Sequence, residues 1–256
     1  MDYNLKECDV VCRGIGKTVY HDKKNNLAIK LFDESFSVDN ILNEALNHAR
    51  IEQTGIEIPR LHAVTQIDGK WAIIREFVRG KTLAQLMDEN PEREDEYLEL
   101  FVNTQCAIHK ESCPLLGRLK DKMNTKISKT DFDATTRYEL HTRLESMPKH
   151  YKVCHGDFVP SNIIISETDG KPYVIDWAHV TQGSGGEDAA RTYLLFCLAG
   201  KTRLADKYLN LFCKKADMAK QYVQKWMPIV AATQTLKGNI DERDFLNSWI
   251  NVVDYE

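Results

Sequence analysis

The stretch VCHGDFVPSNIIISETDGKPYVIDW, residues 153–177, holds three oxygen-bearing side chains at spacings that suit chemistry: Asp157, Asn162 and Asp176. Two apolar runs, NIIIS and PYVID, flank Asp169-Gly170, and an Asp-Gly pair in that setting predicts a hairpin turn. Strand pairing across such a turn puts Asn162 almost opposite Asp176 at the open end. Asp157 lies five residues before Asn162, on the loop that leads in. The three side chains are therefore expected to converge where the hairpin opens. An amide oxygen beside a carboxylate suits Mg²⁺, which takes one or two carboxylates and keeps its other positions for water and phosphate oxygens. Asp157 is then left to act on a substrate hydroxyl, the division of labour of phosphoryl transfer. Taken singly, each piece has a plainer reading: an Asp before a turn caps it, and His-Gly-Asp is a turn. The independent turn signal, which pairs Asn162 with Asp176, favours the catalytic reading.

These residues need elements to hold them. Up to about Arg79 the signals are strands and tight turns: DVVCR, KTVYH, LAIKLF, LHAVTQ and WAIIREFV, with Asp68-Gly69 as a second hairpin signal. One helix interrupts them, in VDNILNEALNHARIEQTG, with Asp39 as its expected N-cap and Gly55 and Pro59 as its end. After Lys81 helices dominate, over about 82–89, 92–111, 118–128, 131–147, 186–198, 201–214, 217–237 and 240–253, and the hairpin near 163–176 stands among them. The expected organisation is an N-lobe over residues 1–79 and a C-lobe over residues 80–256, with the seam near Gly80. GSGG at 183–186 reads as a short glycine loop.

Composition narrows the function. The 256 residues are 43% apolar and 28% charged, ordinary for a folded chain. Residues 1–80 carry 12 acids against 11 bases and the rest 26 against 23, so neither part has the basic excess of a nucleic-acid binder. No apolar run is long enough to cross a membrane, and MDYNLKECDV lacks a signal-peptide pattern. The expectation is a cytoplasmic protein that engages neither nucleic acid nor membrane. Its seven scattered cysteines are expected to be mostly small core residues. Gly16-Lys17-Thr18 looks like the end of a P-loop. Val11 stands where that motif needs its first glycine, and strand-like residues follow it.

HGDFVPSN with VIDW resembles the aminoglycoside phosphotransferase and choline kinase-like family, whose pattern is H-G-D-x-x-x-x-N followed later by I-D-[FW]. The likeness extends over nearly the whole chain, through AIK at 28–30, Glu44, IREFVRGKTL, AIHKESC and EDAARTYLL. Val159 departs from it, since many members have His before the Pro. The resemblance implies an α+β, bilobal, protein-kinase-like fold: a small β-rich N-lobe with one helix and a larger, mainly helical C-lobe. It implies transfer of the γ-phosphoryl group of ATP, with Mg²⁺, to a hydroxyl of a small molecule; GTP stays open as the donor. Gly14 and Gly16 would form the turn between the first two strands, where backbone can approach phosphates. The backbone of Glu76, Phe77 and Val78 would meet the nucleobase, and Asp188, otherwise an N-cap, would steady the catalytic loop. The oligomeric state stays open.

Lys30 is supported by its own surroundings. In LAIKLF a period of two puts Ala28 and Lys30 on one face, and a lysine among Leu, Ile and Phe is costly to bury without a partner. The nucleotide's phosphates and a helix carboxylate would supply partners. Glu44 shares a helical face with Ile41, His48 and Ile51 and is preferred over Glu52. Two other readings compete with a small-molecule kinase. A protein Ser/Thr kinase would need H-R-D, D-F-G and A-P-E, which are absent. An inactive nucleotide-binding pseudokinase would not need the full set of Asp157, Asn162, Asp176 and Lys30. The even charge split also weakens the case for a strongly cationic antibiotic as acceptor. The acidic, aromatic end, Asp254, Tyr255 and Glu256, is expected to contribute to the acceptor site.

Overall fold

The computed structural model describes residues 3–250. The acceptor role expected of residues 254–256 therefore falls outside the described residues. Along the chain run β1 (Asp9–Gly14), β2 (Lys17–Asp22), β3 (Leu27–Phe32), α1 (Val38–Ile51), β4 (Leu61–Ile67) and β5 (Lys70–Glu76). There follow β6 (Gly80–Thr82), α2 (Leu83–Glu89), α3 (Glu94–Ile108), α4 (Leu119–Ser128), α5 (Ala134–Ser146) and β7 (Lys152–Cys154). Then come β8 (Ile163–Ser166), β9 (Pro172–Val174), β10 (Thr181–Gly183), α6 (Gly185–Leu198) and α7 (Thr202–Ala216). Last are α8 (Lys220–Gln224), α9 (Met227–Gln234) and α10 (Arg243–Ile250). No helix among the described residues is long and apolar enough to cross a membrane.

Contacts divide the chain into two compact units, residues up to Pro91 with Pro160–His179, and Glu92–Val159 with the residues from Val180 on. The division differs from a single seam at Gly80 for a simple reason. β6 pairs with β8, and α2 packs on the turn Pro160–Asn162, so both segments belong with the sheet.

In the first unit an antiparallel sheet runs in the order β1-β2-β3-β5-β4. The β4–β5 hairpin turns on Asp68 and Gly69, at φ 50° and 77°, the left-handed pair that a two-residue turn demands. Strand alternation splits the core in two. Leu27, Ile29, Ala72 and Ile74 lie on one face, while Phe32 and Ile73 meet Ile41 and Ala45 of α1 on the other. Helix α1 is capped by Ser37, not Asp39, and ends at Ile51, before Gly55. The Asp169-Gly170 hairpin also departs from expectation. Ser166 and Lys171 close the turn through a 3.0 Å bond, so four residues, not two, make the loop. Ile163 therefore pairs with Val174, and Asn162 faces Ile175, with Asp176 one position beyond.

The second unit is mainly helical. Phe101, Phe158, Phe196, Tyr208 and Phe212 pack ring on ring at its centre. The helix expected over 217–237 is two, α8 and α9, with Pro228 in the first turn of the second. Gly183, expected in a glycine loop, ends β10, which pairs with β7; Ser184 caps α6. Only Cys113 and Cys154 are buried, and Cys12 is exposed because every residue of β1 is exposed.

Candidate functional site

In the first unit, Lys30 projects from β3 toward α1, and its Nζ donates to both Glu44 oxygens at 2.7 and 2.8 Å. Both side chains are under a tenth exposed. Glu44 also accepts from Arg75 Nη2 at 2.5 Å, so one buried carboxylate serves two cations. Burial lowers the Lys30 pKa, and the Glu44 and Asp176 charges only partly restore it. Glu52, the rival for Lys30, instead accepts the Leu61 amide at 2.6 Å.

Asp176 follows β9 in a left-handed conformation, φ 64°, and the turn is pinned where Trp177 Nε1 donates to the Val174 carbonyl at 3.0 Å. Its two oxygens accept separately, Oδ1 from Lys30 at 3.3 Å and Oδ2 from Lys17 at 3.1 Å. Burial alone would raise its pKa; the Lys30 and Lys17 charges outweigh that and hold the carboxyl well below the usual carboxylate range. Asn162 is anchored one ladder position away, its carbonyl accepting from the Ile175 amide at 2.9 Å. A carboxylate whose ionised form is favoured and an amide are oxygen donors of the types that a small divalent cation takes.

The β1–β2 turn is Ile15-Gly16, with Gly14 opposite Lys17. A Cβ on Gly16, at φ 68°, would meet Ser35 Oγ at 2.5 Å, so turn geometry and packing explain that glycine. A Cβ on Gly14 would meet Lys17 at 3.5 Å, an ordinary contact. Beyond β5, Asn26 occupies the Phe77 backbone from both sides: its carbonyl accepts the Phe77 amide at 3.0 Å and its Nδ2 donates to the Phe77 carbonyl at 3.4 Å. Glu76 is exposed and Val78 half-buried.

Asp157 belongs to the second unit, on a loop held by α6. Asp188 accepts the Gly156 amide at 2.7 Å, the His155 amide at 3.3 Å and His109 Nε2 at 2.9 Å. Because Ser184 is the cap, Asp188 lies inside the first turn of α6 and uses its side chain on the loop. Thr192 donates to the Phe158 carbonyl at 2.9 Å, and Arg191 Nε donates to the Gly156 carbonyl. Arg191 Nη2 reaches Asp157 Oδ1 at 3.5 Å. The Asp157 amide donates to His155 Nδ1 at 3.2 Å, which leaves the ring's proton on Nε2. Arg191 thus steers Asp157 at Oδ1, and the side chain is 29% exposed. His179 is exposed.

Burial alone would raise the Asp188 pKa, but the His109 bond and charge and the Gly156 amide hold it at about 2, below its ordinary 3.8. A depressed carboxylate stabilises the fold above its unfolded pKa and loses that contribution as pH falls toward the folded value. We expect Asp188→Asn to unfold more easily than wild type at pH 7, with the gap closing as pH falls below about 4. Denaturant midpoints at several pH values measure it; a gap constant to pH 3 would refute the linkage.

Sequence reasoning passed over Lys17 and Arg75 as site residues. Lys17 shares a strand face with Val19, the partner of Lys30 across β2 and β3, and that alternation was a usable signal. Arg75 announces itself only as a charge ending the apolar run WAII.

The family model described as APH, phosphotransferase enzyme family, matches residues 17–222. No curated protein sequence matches the chain. Among solved structures, a thermostable mutant of aminoglycoside phosphotransferase APH(4)-Ia in ternary complex with ADP and hygromycin B superposes with TM-score 0.71, at 13% identity over 95% of this chain and 92% of that one. ADP-bound aminoglycoside phosphotransferase APH(2'')-Ib gives 0.60, at 15% identity over 96% and 91%. Plasmodium vivax ethanolamine kinase gives 0.61, at 14% identity over 98% and 78%. At such identities the likeness establishes the shared α+β, protein-kinase-like fold. The family match rests instead on the sequence and spans both the sheet with Lys30 and the loop with Asp157, so this chain belongs to the phosphotransferase enzyme family.

Proposed function

We propose that the chain is a small-molecule kinase that moves the γ-phosphoryl group of ATP to a hydroxyl of its acceptor. The observation that carries this reading is the buried ammonium of Lys30, fixed by Glu44 at 2.7 Å while also facing Asp176. Such a preorganised cation needs no reorganisation when a phosphate arrives. In this reading Lys30 and Lys17 bind phosphate oxygens. The backbone at Gly14 lets them approach, with Gly16 shaping the turn. The edge of the nucleobase meets Glu76 to Val78, where the Val78 amide is the donor because Asn26 already holds Phe77.

Asn162 and Asp176 would hold Mg²⁺, which when bound neutralises phosphate charge. In the second unit Asp157 accepts the hydroxyl proton, with Arg191 and His155 fixing its orientation. Positioning and charge do most of the work, as phosphoryl transfer requires. ATP is the donor we infer, by analogy with the ADP-bound relatives. A cytoplasmic location suits both a supply of ATP and seven cysteines that are all thiols.

Asp176→Ala should remove Mg²⁺-dependent nucleotide binding and Asn162→Ala should weaken it less, because an ionised ligand offers a hard cation more than a neutral amide does. Calorimetric titration of ATP with and without Mg²⁺ decides. Undiminished Mg²⁺ dependence in both variants would sink the metal assignment. Phosphorylation of a panel of hydroxyl compounds, read by mass spectrometry, tests the activity itself.

A further inference from the structure

The surroundings of Asp157 in the second unit are cationic. Lys122 and Lys126 stand one turn apart on α4, both half-buried, flanked by the buried Met123 and Ile127. Helix α4 packs on α9, whose last residue, Gln234, accepts from Arg191 Nη1 at 3.3 Å. The chain continues from there into the turn Thr235–Lys237. Arg191 therefore ties α9 to Asp157, and Lys126 and Lys237 both lie within electrostatic reach of Arg191 and Asp157.

Among the described residues countercharge is scarce there. Neither Lys126 nor Lys237 has an ion pair among the described residues. Asp188 is taken up by His109 and the loop amides. Glu242, near Lys237, already accepts from Asn239 at 2.8 Å and Gln234 at 3.3 Å. Glu187 is fully buried and its carboxyl has no hydrogen-bond partner. Burial, then the Asp188 charge, raises its pKa to about 7, which disfavours the ionised form. Burial, then the Arg191 charge, lowers the Lys126 pKa to about 8.

Building on the kinase reading, we propose that the acceptor carries an anionic group, phosphate or carboxylate, beside its hydroxyl, and that Lys126 and Lys237 bind that group next to Asp157. The anion supplies the charge that the described residues do not give these lysines and holds the hydroxyl end at the base. A polycationic acceptor would place ammonium groups against Arg191, Lys126 and Lys237, and like charges at close range discriminate against it.

The test uses the full chain and four matched probes, glucose 6-phosphate, glucuronate, glucose and glucosamine, with inorganic phosphate as a fifth. Calorimetric binding without nucleotide is measured for wild type, Lys126→Gln, Lys237→Gln and, as a control with the same change in charge on α7, Lys214→Gln. Expected is saturable binding of at least one anionic probe, weakened about tenfold or more by each of the first two variants and unchanged by the third; charge-assisted bonds carry about that much. Glucose and glucosamine should bind more weakly than the anions. Whether glucose 6-phosphate or glucuronate binds better separates phosphate from carboxylate. Equal binding of neutral or cationic probes, indifference to both substitutions, or no binding of any anion overturns the proposal. Because this readout needs no turnover, the kinase reading can fail separately: anions would bind the lysines while no probe gained phosphate from ATP.

Discussion

Asp157→Asn should lower kcat by about 10²–10⁴-fold, the usual contribution of a general base, and leave the affinity for ATP with Mg²⁺ nearly intact. The carboxylate is 29% exposed on a loop of the second unit, while Lys17, Lys30, Asn162 and Asp176 all belong to the first. The replacement keeps the shape of the side chain. It can still accept from Arg191, which stands 3.5 Å from Oδ1, and the loop keeps its bonds from the Gly156 and His155 amides to Asp188. What it loses is the capacity to take a proton. A pure turnover defect is therefore expected, the signature of an interaction made in the transition state. ADP release by a coupled assay gives kcat, and calorimetry gives nucleotide affinity. Retention of more than about a tenth of kcat would remove Asp157 as the base. A parallel loss of nucleotide affinity would make it part of the binding apparatus.

Much of this arrangement was readable from the chain, and what was missed has physical causes. The β4–β5 hairpin was legible because Asp68-Gly69 leaves the turn little conformational choice. The same dipeptide misled at 169–170, where Ser166 closes a longer loop and shifts the register. That shift moved Asn162 from Asp176 to Ile175. β6, β7 and β10 span three residues each, too short for any period to register, and their pairings are set by partners distant in sequence. The Lys30–Glu44 contact could be foreseen because each residue is a charge on an otherwise apolar face. Arg75 could not be assigned to Glu44 without the sheet order that brings β5 beside β3. The cationic setting of Asp157 was invisible for a related reason. The charges of residues 81–256 nearly balance overall, so only the packing of α9 against α4 and α6 separates bases from acids locally.

Glu44→Gln should destabilise the protein by about 3–5 kcal/mol, more than Lys30→Met does, although both changes break the same ion pair. The asymmetry follows from what each removal leaves without a partner. Glu44 is 5% exposed at its side chain and accepts from Lys30 at 2.7 Å and from Arg75 at 2.5 Å, and both cations are themselves 9% exposed. Removing its charge strands the buried Arg75 and leaves Lys30 only the longer contact to Asp176, at 3.3 Å. Removing Lys30 strands nothing: Glu44 keeps Arg75, and Asp176 keeps Lys17 at 3.1 Å. A methionine in its place retains much of the packing beside Phe32, whose ring centre lies 5.3 Å from Nζ. A buried ion pair replaced by apolar surface often costs little, whereas an unpaired buried charge costs much. Lys30→Met should accordingly stay within about 1.5 kcal/mol of wild type, the range of volume-conserving core changes, yet lose nucleotide turnover. Urea midpoints for the two variants without nucleotide decide between these outcomes. If Lys30→Met proves as destabilising as Glu44→Gln, the second cation on Glu44 is not what makes this carboxylate structural.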